Sequence, residues 1–321
     1  MGFRISLSSL FVVAFAAILL VASGNARAQA PQYTIETIAL TGDPAPGRPG
    51  TTFASIFREP VLNENGSVVF EGRLDSGLRD TGIWIGRVGN ISEVALKGTE
   101  APVVATGKIF QSFIDPSLND SGDVAFLAFT GPSGGDITDS SGIFTWSAGS
   151  IDPVALRGQV APGTGGDVFL EFSRPRASGG FFFGPIINNT GDMVFRAFLD
   201  TVSERDNGIW FGNSGGLTLI GREGDVAPAS GGEIFGPITQ VRLNDAGDIA
   251  FRASIEPRLA NSGLWLGRPG SFFPIAITGD VAPETGGRTF GSSMGGLDLN
   301  SLGTVAFTAS LNGDLADGLG I

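Results

Sequence analysis

A five-fold internal repetition constrains this chain more than any other feature. The segments LNENGSVVF (Asn63, Gly66, Phe70), LNDSGDVAF (Asn119, Gly122, Phe126), INNTGDMVF (Asn188, Gly191, Phe195), LNDAGDIAF (Asn244, Gly247, Phe251) and LNSLGTVAF (Asn300, Gly303, Phe307) share an Asn-x-x-Gly-x-x-x-Phe core. Successive Asn positions lie 56, 69, 56 and 56 residues apart, so one copy carries an insertion of about 13 residues. Two landmarks travel with the core. Downstream is a Gly-aliphatic-aromatic step (Gly82-Ile83-Trp84, Gly142-Ile143-Phe144, Gly208-Ile209-Trp210, Gly263-Leu264-Trp265 and the worn Gly318-Leu319-Gly320). Upstream is an Ala-Pro turn (Ala45-Pro46, Ala101-Pro102, Ala161-Pro162, Ala227-Pro228, Ala282-Pro283). A unit repeated at this period buries its apolar faces by stacking on copies of itself.

Each copy reads as four short strands. In copy 4 these are LTLIG, IFGPITQVRL, DIAFRAS and GLWLG, with Ile249, Phe251 and Ala253 on one face of the third and Ala250 and Arg252 on the other. In copy 2 both faces of that strand are apolar, as a sheet sandwiched between neighbours requires. Gly 50, Pro 18, Phe 25 and only 16% charged residues favour strands and tight turns over long helices. The expected fold class is therefore all-β and β-propeller-like: five four-stranded repeats of about 56 residues, framed as 34–89, 90–150, 151–215, 216–270 and 271–321 within a domain spanning 29–321. The first and last segments are expected to complete one shared blade. The chain stops at Ile321 inside a strand that other copies continue, so a fragment of a six- or seven-bladed ring is one alternative and an open stack is another.

The N-terminus predicts the compartment. Arg4 precedes the apolar run Leu10 to Val21, and Ala26-Arg27-Ala28 has the small-x-small form of a cleavage site, so residues 1–28 read as a signal peptide. Loss of Arg4 and Arg27 would take the formal charge from -12 to -14. The mature chain is expected to be secreted or at the cell surface, monomeric and not membrane-spanning. With no clustered basic stripe, so acidic a chain is repelled by phosphate backbones, and nucleic acid is excluded as a partner. There is no Cys, hence no disulfide framework or thiolate metal site, and no His to serve as a general base.

The Asn-x-x-Gly-x-x-Ala-Phe form is literal in copies 2, 4 and 5, with Val for Ala in copies 1 and 3. On those residues the chain resembles the bacterial NxxGxxAF tandem-repeat exported proteins, a group with a signal peptide and a variable C-terminal, choice-of-anchor surface segment. The resemblance implies an exported, cell-surface bacterial protein. This sequence departs from the pattern in showing no C-terminal anchor helix or basic tail.

Candidate chemistry is sparse. Asp120, Asp123, Asp245 and Asp248 place hard oxygens at short spacing around two of the turns, as calcium loops do. Copies 1 and 5 (NENGS, NSLGT) lack the final carboxylate, and hairpin chemistry accounts for Asn and Gly without a metal. Gly291-Ser292-Ser293-Met294-Gly295 spells a nucleophile elbow, which requires the missing His. Trp84, Trp146, Trp210 and Trp265 suit packing between blades or a stacking platform for sugars. The segments FLEFSRPRASGGFF (about residues 170–183) and TVSERDNG (201–208) are the least repeat-like and offer Glu171, Glu204 and Asp206, the acids a carboxylate-dependent carbohydrate hydrolase could use. No catalytic or cofactor-binding residue and no cofactor is assigned. The sequence reading is an exported, non-catalytic scaffold binding an unknown protein or glycan.

Overall fold

The computed structural model describes residues 12–16, 33–77, 80–103, 107–133, 140–172, 184–201, 206–257, 261–312 and 319–320. Their regular elements are all strands, paired antiparallel, and among the described residues no helix is long and apolar enough to cross a membrane. The chain divides into two compact units, Met1–Lys97 and Gly98–Ile321.

In the first unit, β1 (Val12–Ala16) pairs with β2 (Tyr33–Thr37). Sheet I runs β3 (Phe53–Leu62), β4 (Val68–Leu74), β5 (Thr81–Arg87), β6 (Asn90–Leu96) in spatial order. The second unit holds four sheets. Sheet II is β7 (Lys108–Leu118), β8 (Val124–Pro132), β9 (Ser140–Ser147) and β10 (Ser150–Leu156). Sheet III has β11 (Phe169–Glu171) and β12 (Ile186–Ile187) both pairing with β13 (Met193–Leu199), followed by β14 (Asn207–Asn213) and β15 (Gly216–Arg222). Sheet IV is β16 (Ile234–Leu243), β17 (Ile249–Glu256), β18 (Ser262–Arg268) and β19 (Ser271–Ile277); sheet V is β20 (Phe290–Leu299), β21 (Val305–Leu311) and β22 (Leu319–Gly320). The copy 3 insertion separates β11 from β12, and its residues 173–183 lie outside the described residues.

This topology corrects the four-strand reading of each repeat. The LTLIG segment belongs to β15 of sheet III, and sheet IV closes with β19, which the repeat framing placed at the start of the next copy. The physical reason is the connection length. Val88-Gly89, Ala148-Gly149, Ser214-Gly215 and Pro269-Gly270 are two-residue links, and a hairpin that short keeps the next strand in the same sheet. The Ala-Pro turns sit instead in the long crossovers between sheets. Among the described residues β2 pairs with β1, and β22 pairs with β21 at the edge of sheet V.

Sheets II to V stack face to face in chain order. Ala125, Leu127, Ile143 and Ala155 of sheet II share a buried cluster with Phe169, Phe195 and Trp210 of sheet III. Val194 and Ile209 of sheet III meet Phe235, Phe251 and Trp265 of sheet IV, whose other face (Ala250, Leu264, Ala276) meets Met294, Leu297 and Ala309 of sheet V. Each contact thus sets small and aliphatic side chains against a larger set, which lets the sheets approach without voids. The period-two assignment of Phe251 and Ala250 to opposite faces is what the structure has.

The aromatic face repeats one arrangement. The first-strand Phe points its edge at the third-strand ring (Phe53–Trp84 4.9 Å, Phe169–Trp210 4.9 Å, Phe235–Trp265 4.8 Å), while the core Phe of the second strand stacks on it (Phe70–Trp84 6.1 Å, Phe195–Trp210 6.3 Å, Phe251–Trp265 5.7 Å). The glycine two residues before each Trp is a steric requirement. A Cβ at Gly263 would lie 2.5 Å from the Trp265 ring, and one at Gly82 would lie 2.6 Å from Leu96. Each Trp Nε1 donates to the Pro carbonyl of the crossover entering its own sheet: Trp84 to Pro46 (3.0 Å), Trp210 to Pro162 (3.0 Å), Trp265 to Pro228 (3.2 Å). These three rings are fully buried, whereas Trp146 is half-buried on β9.

Sheet II carries Phe144 at the Trp position, so the site accepts a ring that lacks the donor. Trp210→Phe should accordingly cost only about 1–2 kcal/mol, the lost hydrogen bond and some contact area. Trp210→Ala should cost about 3–5 kcal/mol through the cavity it leaves. Urea unfolding of both variants measures the difference.

Candidate functional site

The two ends of the sheets differ in kind: at one end the copies are alike, and at the other they diverge.

At the first end the Asn-x-x-Gly segments close the hairpins between the first and second strands. In every copy the Asn N–H donates to the carbonyl four residues on, and the Gly N–H returns to the Asn carbonyl. The Gly φ lies between +79° and +89°, so the loop is a type I turn closed by a left-handed residue, for which Gly is preferred. Asn Oδ1 accepts the N–H four residues on in all five copies: Ser67 (2.8 Å), Asp123 (2.8 Å), Asp192 (3.0 Å), Asp248 (2.8 Å) and Thr304 (2.8 Å). In the second unit the other half of the amide links the sheets. Asn119 Nδ2 donates to the Asn188 carbonyl (3.1 Å), Asn188 to Asn244 (3.4 Å) and Asn244 to Asn300 (3.1 Å).

The sequence-predicted carboxylates fall into two groups. Asp120 and Asp245 converge on Asn189, whose Nδ2 donates to both (2.7 and 3.0 Å), while Asn189 Oδ1 accepts the Asp120 N–H (2.7 Å). Asp123 and Asp248 instead stay in their own hairpins, each accepting from its own Asn119 or Asn244 Nδ2 (3.0 Å). Asp248 also accepts from Arg268 Nε (2.7 Å), and that guanidinium, with Asn244, holds its carboxyl below the ordinary range. Among the described residues no three His, Cys, Asp or Glu side chains gather as a metal site. Asn189 escaped the sequence reading, although it occupies the repeat position of Asp120 and Asp245.

At the second end the crossovers leave. Equivalent positions are fixed by backbone bonds: Gly42, Gly98, Gly158, Gly224 and Gly279 each donate to the first-strand Phe carbonyl (2.7–2.9 Å). The preceding residue donates back to the start of the third strand: Lys97 to Thr81, Arg157 to Ser141, Glu223 to Asn207 and Thr278 to Ser262. In sheet III this end is closed by ions. Arg222 Nε reaches both Asp206 oxygens (3.0 and 2.9 Å), its Nη2 pairs with Asp206 and with Asp167 (2.8 Å), and the pairing raises its pKa further. In sheet I, Arg48 pairs with Asp80 (3.4 Å) and donates to the Lys97 carbonyl. Asp206, predicted as a possible hydrolytic acid, is thus clasped by Arg222. Glu171 is half-buried on β11, and Glu204 lies outside the described residues.

In sheet II the described residues leave a space at this end. A cavity of about 330 Å³ is lined by Val103, Lys108, Thr130, Ser140, Leu156, Arg157, Gly158 and Gln159. Ser140 stands where Asp80 and Asp206 stand in sheets I and III, and Leu156 where Arg222 stands. A second cavity of about 370 Å³ at the corresponding end of sheet IV is lined by Glu233 and Glu256 with Gly231, Gly232, Ile234 and Pro257.

The family model for a family of unknown function, DUF7453, matches residues 12–318, and the chain belongs to that family. No curated protein matches it significantly. Among solved structures it is similar to an unknown-function protein from Dyadobacter fermentans DSM 18053 (9% identity, 82% of this chain and 80% of that one, TM-score 0.36). It is also similar to the Hadza microbial sialidase Hz136 (11% identity, 88% and 61%, TM-score 0.38) and to the SapL1 lectin in complex with alpha methyl fucoside (11% identity, 79% and 87%, TM-score 0.23).

Asn188→Ala, which removes both halves of the amide, should cost about 2–4 kcal/mol. Asn188→Asp keeps the acceptor but sets a carboxylate against the Asn244 carbonyl, so in urea unfolding it should not recover the wild-type midpoint. The Asp248 pairing should be visible as pH dependence. A carboxyl whose folded value lies below 3.8 stabilises the fold above that pH and loses the contribution as pH falls through the folded value. Because Arg268 is exposed, the contribution is at most about 1 kcal/mol. The Tm gap between wild type and Asp248→Asn should be open at pH 7 and close as the pH drops below 3.8.

Proposed function

We propose that this DUF7453 member is an exported, non-catalytic scaffold of the NxxGxxAF repeat type, which binds a protein or glycan at the bacterial cell surface. In this reading residues 1–28 direct export, the stacked sheets are blades of a propeller, and the mature chain acts as a monomer. One observation carries it: the polar groups common to the copies are spent on structure, while the chemistry that varies gathers at the crossover end. The shared Asn amides hold the turns and join the sheets, and the Trp indoles bond the crossovers. The crossover end instead carries an ion cluster in sheet III and open cavities in sheets II and IV. Fixed elements presenting variable ends are a common basis for recognition.

The hydrolase alternative draws on Glu171, Glu204 and Asp206, and the clasp of Asp206 by Arg222 leaves that carboxylate committed to a cation. Glycan-array binding by the purified full chain, followed by incubation with each bound polysaccharide, separates the two readings. Binding with no release of reducing ends is expected. Release that disappears in Asp206→Asn would establish the hydrolase instead.

A further inference from the structure

We infer that the face of sheet IV turned to sheet V, around the bulge of β16, binds a carboxylate that carries a hydrogen-bond donor beside it. Arg252 pairs the charge, and Gln240 accepts from the neighbouring donor. The inference rests on the scaffold reading above and names a ligand class for it.

The residue after each core Phe stands at one level of every sheet, and in four copies its side chain is matched by the protein itself. Glu71 pairs with Arg58 (3.2 Å) in sheet I. Leu127 of sheet II pairs across the strands with Ile114, and both are buried in an apolar cluster. Arg196 of sheet III donates through Nη1 to the Ile238 carbonyl (3.0 Å) and lies over the Phe198 ring. In sheet V the Thr308 hydroxyl donates to the Gly295 carbonyl (3.0 Å). Arg252 differs. It is half-buried beside Leu264 on the face that meets sheet V, its Nε is enclosed, and among the described residues it has neither a hydrogen bond nor an ion pair. Burial alone moves its pKa, downward, with no carboxylate acting against it. Such an arginine is a departure in a chain with 32 acids to 20 Lys and Arg. Asp298 of sheet V pairs with Arg242 instead (3.7 Å). Of the acids outside the described residues in the two flanking sheets, Glu204 follows Leu199, and Asp314 and Asp317 follow Leu311. Leu199 and Leu311 are strand positions three residues, about 10 Å, beyond the level of Arg252.

The same patch holds two further atoms without partners. Gln240, the cross-strand partner of Arg252, has its Oε1 enclosed and unbonded, and so has Thr239 its Oγ1. Thr239 is the extra residue of a bulge in β16, the edge strand of the sheet, and bulges re-aim side chains next to functional sites. Enclosing a guanidinium, an amide oxygen and a hydroxyl without bonds costs stability. Sheet II shows that the apolar pair Ile114–Leu127 fills the same position without that cost. The chemistry of the three groups fits one kind of ligand. The guanidinium pairs a planar carboxylate through two parallel hydrogen bonds. The Thr239 hydroxyl is a further donor, and the Gln240 oxygen requires a ligand hydroxyl or N–H next to the carboxylate. A phosphate dianion would set a lone pair against that oxygen. A hydroxy acid and a peptide carboxyl terminus both carry the required pair of groups.

Calorimetric titration of the full chain with glycolate, N-acetylglycinate, acetate and the neutral glycolamide tests this. Glycolate and N-acetylglycinate should bind, with affinity that falls as salt rises, and the tighter of the two tells a hydroxy acid from a peptide end. Acetate, which lacks the donor, and glycolamide, which lacks the charge, should bind at least about tenfold more weakly than the better of them. Arg252→Leu, which copies Leu127, should abolish binding while raising the Tm. Arg196→Leu, which removes a made bond, should lower the Tm. Arg252→Gln, which keeps a polar chain without the charge, should weaken binding about 10- to 100-fold. Acetate or glycolamide binding as tightly as the better carboxylate, affinity unchanged in both Arg252 variants, or a fall in Tm in Arg252→Leu would overturn the assignment. Glycan-array binding with neither carboxylate held more tightly than about 10 mM would overturn this site and leave the scaffold reading intact; cleavage of an array glycan would overturn the scaffold reading and leave the site.

Discussion

Both ends of one amide hold the second unit together. An Asn side chain has an acceptor and two donors, and here the acceptor closes its own hairpin while a donor crosses to the next copy's backbone. Asn119, Asn188 and Asn244 are buried, where an unmade hydrogen bond is expensive and a made one is strengthened by the low local dielectric. Asp could accept but not donate, and Ser is too short to span both partners. The periodic placement of the sheets, and with it the alignment of the small face of one against the aromatic face of the next, depends on this doubly engaged side chain.

With one end of every sheet committed in this way, it is the other end that varies. There the copies solve a single electrostatic problem differently. An acidic chain that brings Asp167 and Asp206 together must neutralise them, and Arg222 does so in sheet III. Arg48 serves Asp80 in sheet I. In sheet II, Ser140 and Leu156 stand where Asp206 and Arg222 meet in sheet III, and a cavity lies beside them. Partial burial raises the Asp225 carboxyl above its ordinary value, opposed by the backbone bond it accepts from Arg222.

Much of the fold was readable because strand alternation and turn chemistry are local. The Asn-x-x-Gly hairpins, the opposite faces of Phe251 and Ala250, and the buried Trp positions follow from spacing alone. The grouping of strands does not follow from the repeat landmarks, because the Ala-Pro turns are conspicuous in sequence while the two-residue links such as Val88-Gly89 and Pro269-Gly270 are what hold successive strands in one sheet. Prolines on edge strands, Pro60, Pro116 and Pro237, mark strands that need no outer partner and could have corrected the framing. The candidate site was scarcely legible. Asp206 stood out as irregular, but its clasp by Arg222 joins side chains on different strands, and Lys108, Thr130, Ser140 and Arg157 come from three strands and a crossover.

The sequence by itself determined that the chain is built from five β units, that their shared Gly, Asn and Phe make turns and core, and that chemistry requiring His or Cys is excluded. Those are properties of residue type and short-range spacing. Only the tertiary structure decided which strands share a sheet, which neighbour each Asn amide reaches, and which of five equivalent ends is filled by its own ions or left open. Each of these depends on contacts between residues 16 to 69 positions apart, whose distances no local pattern encodes.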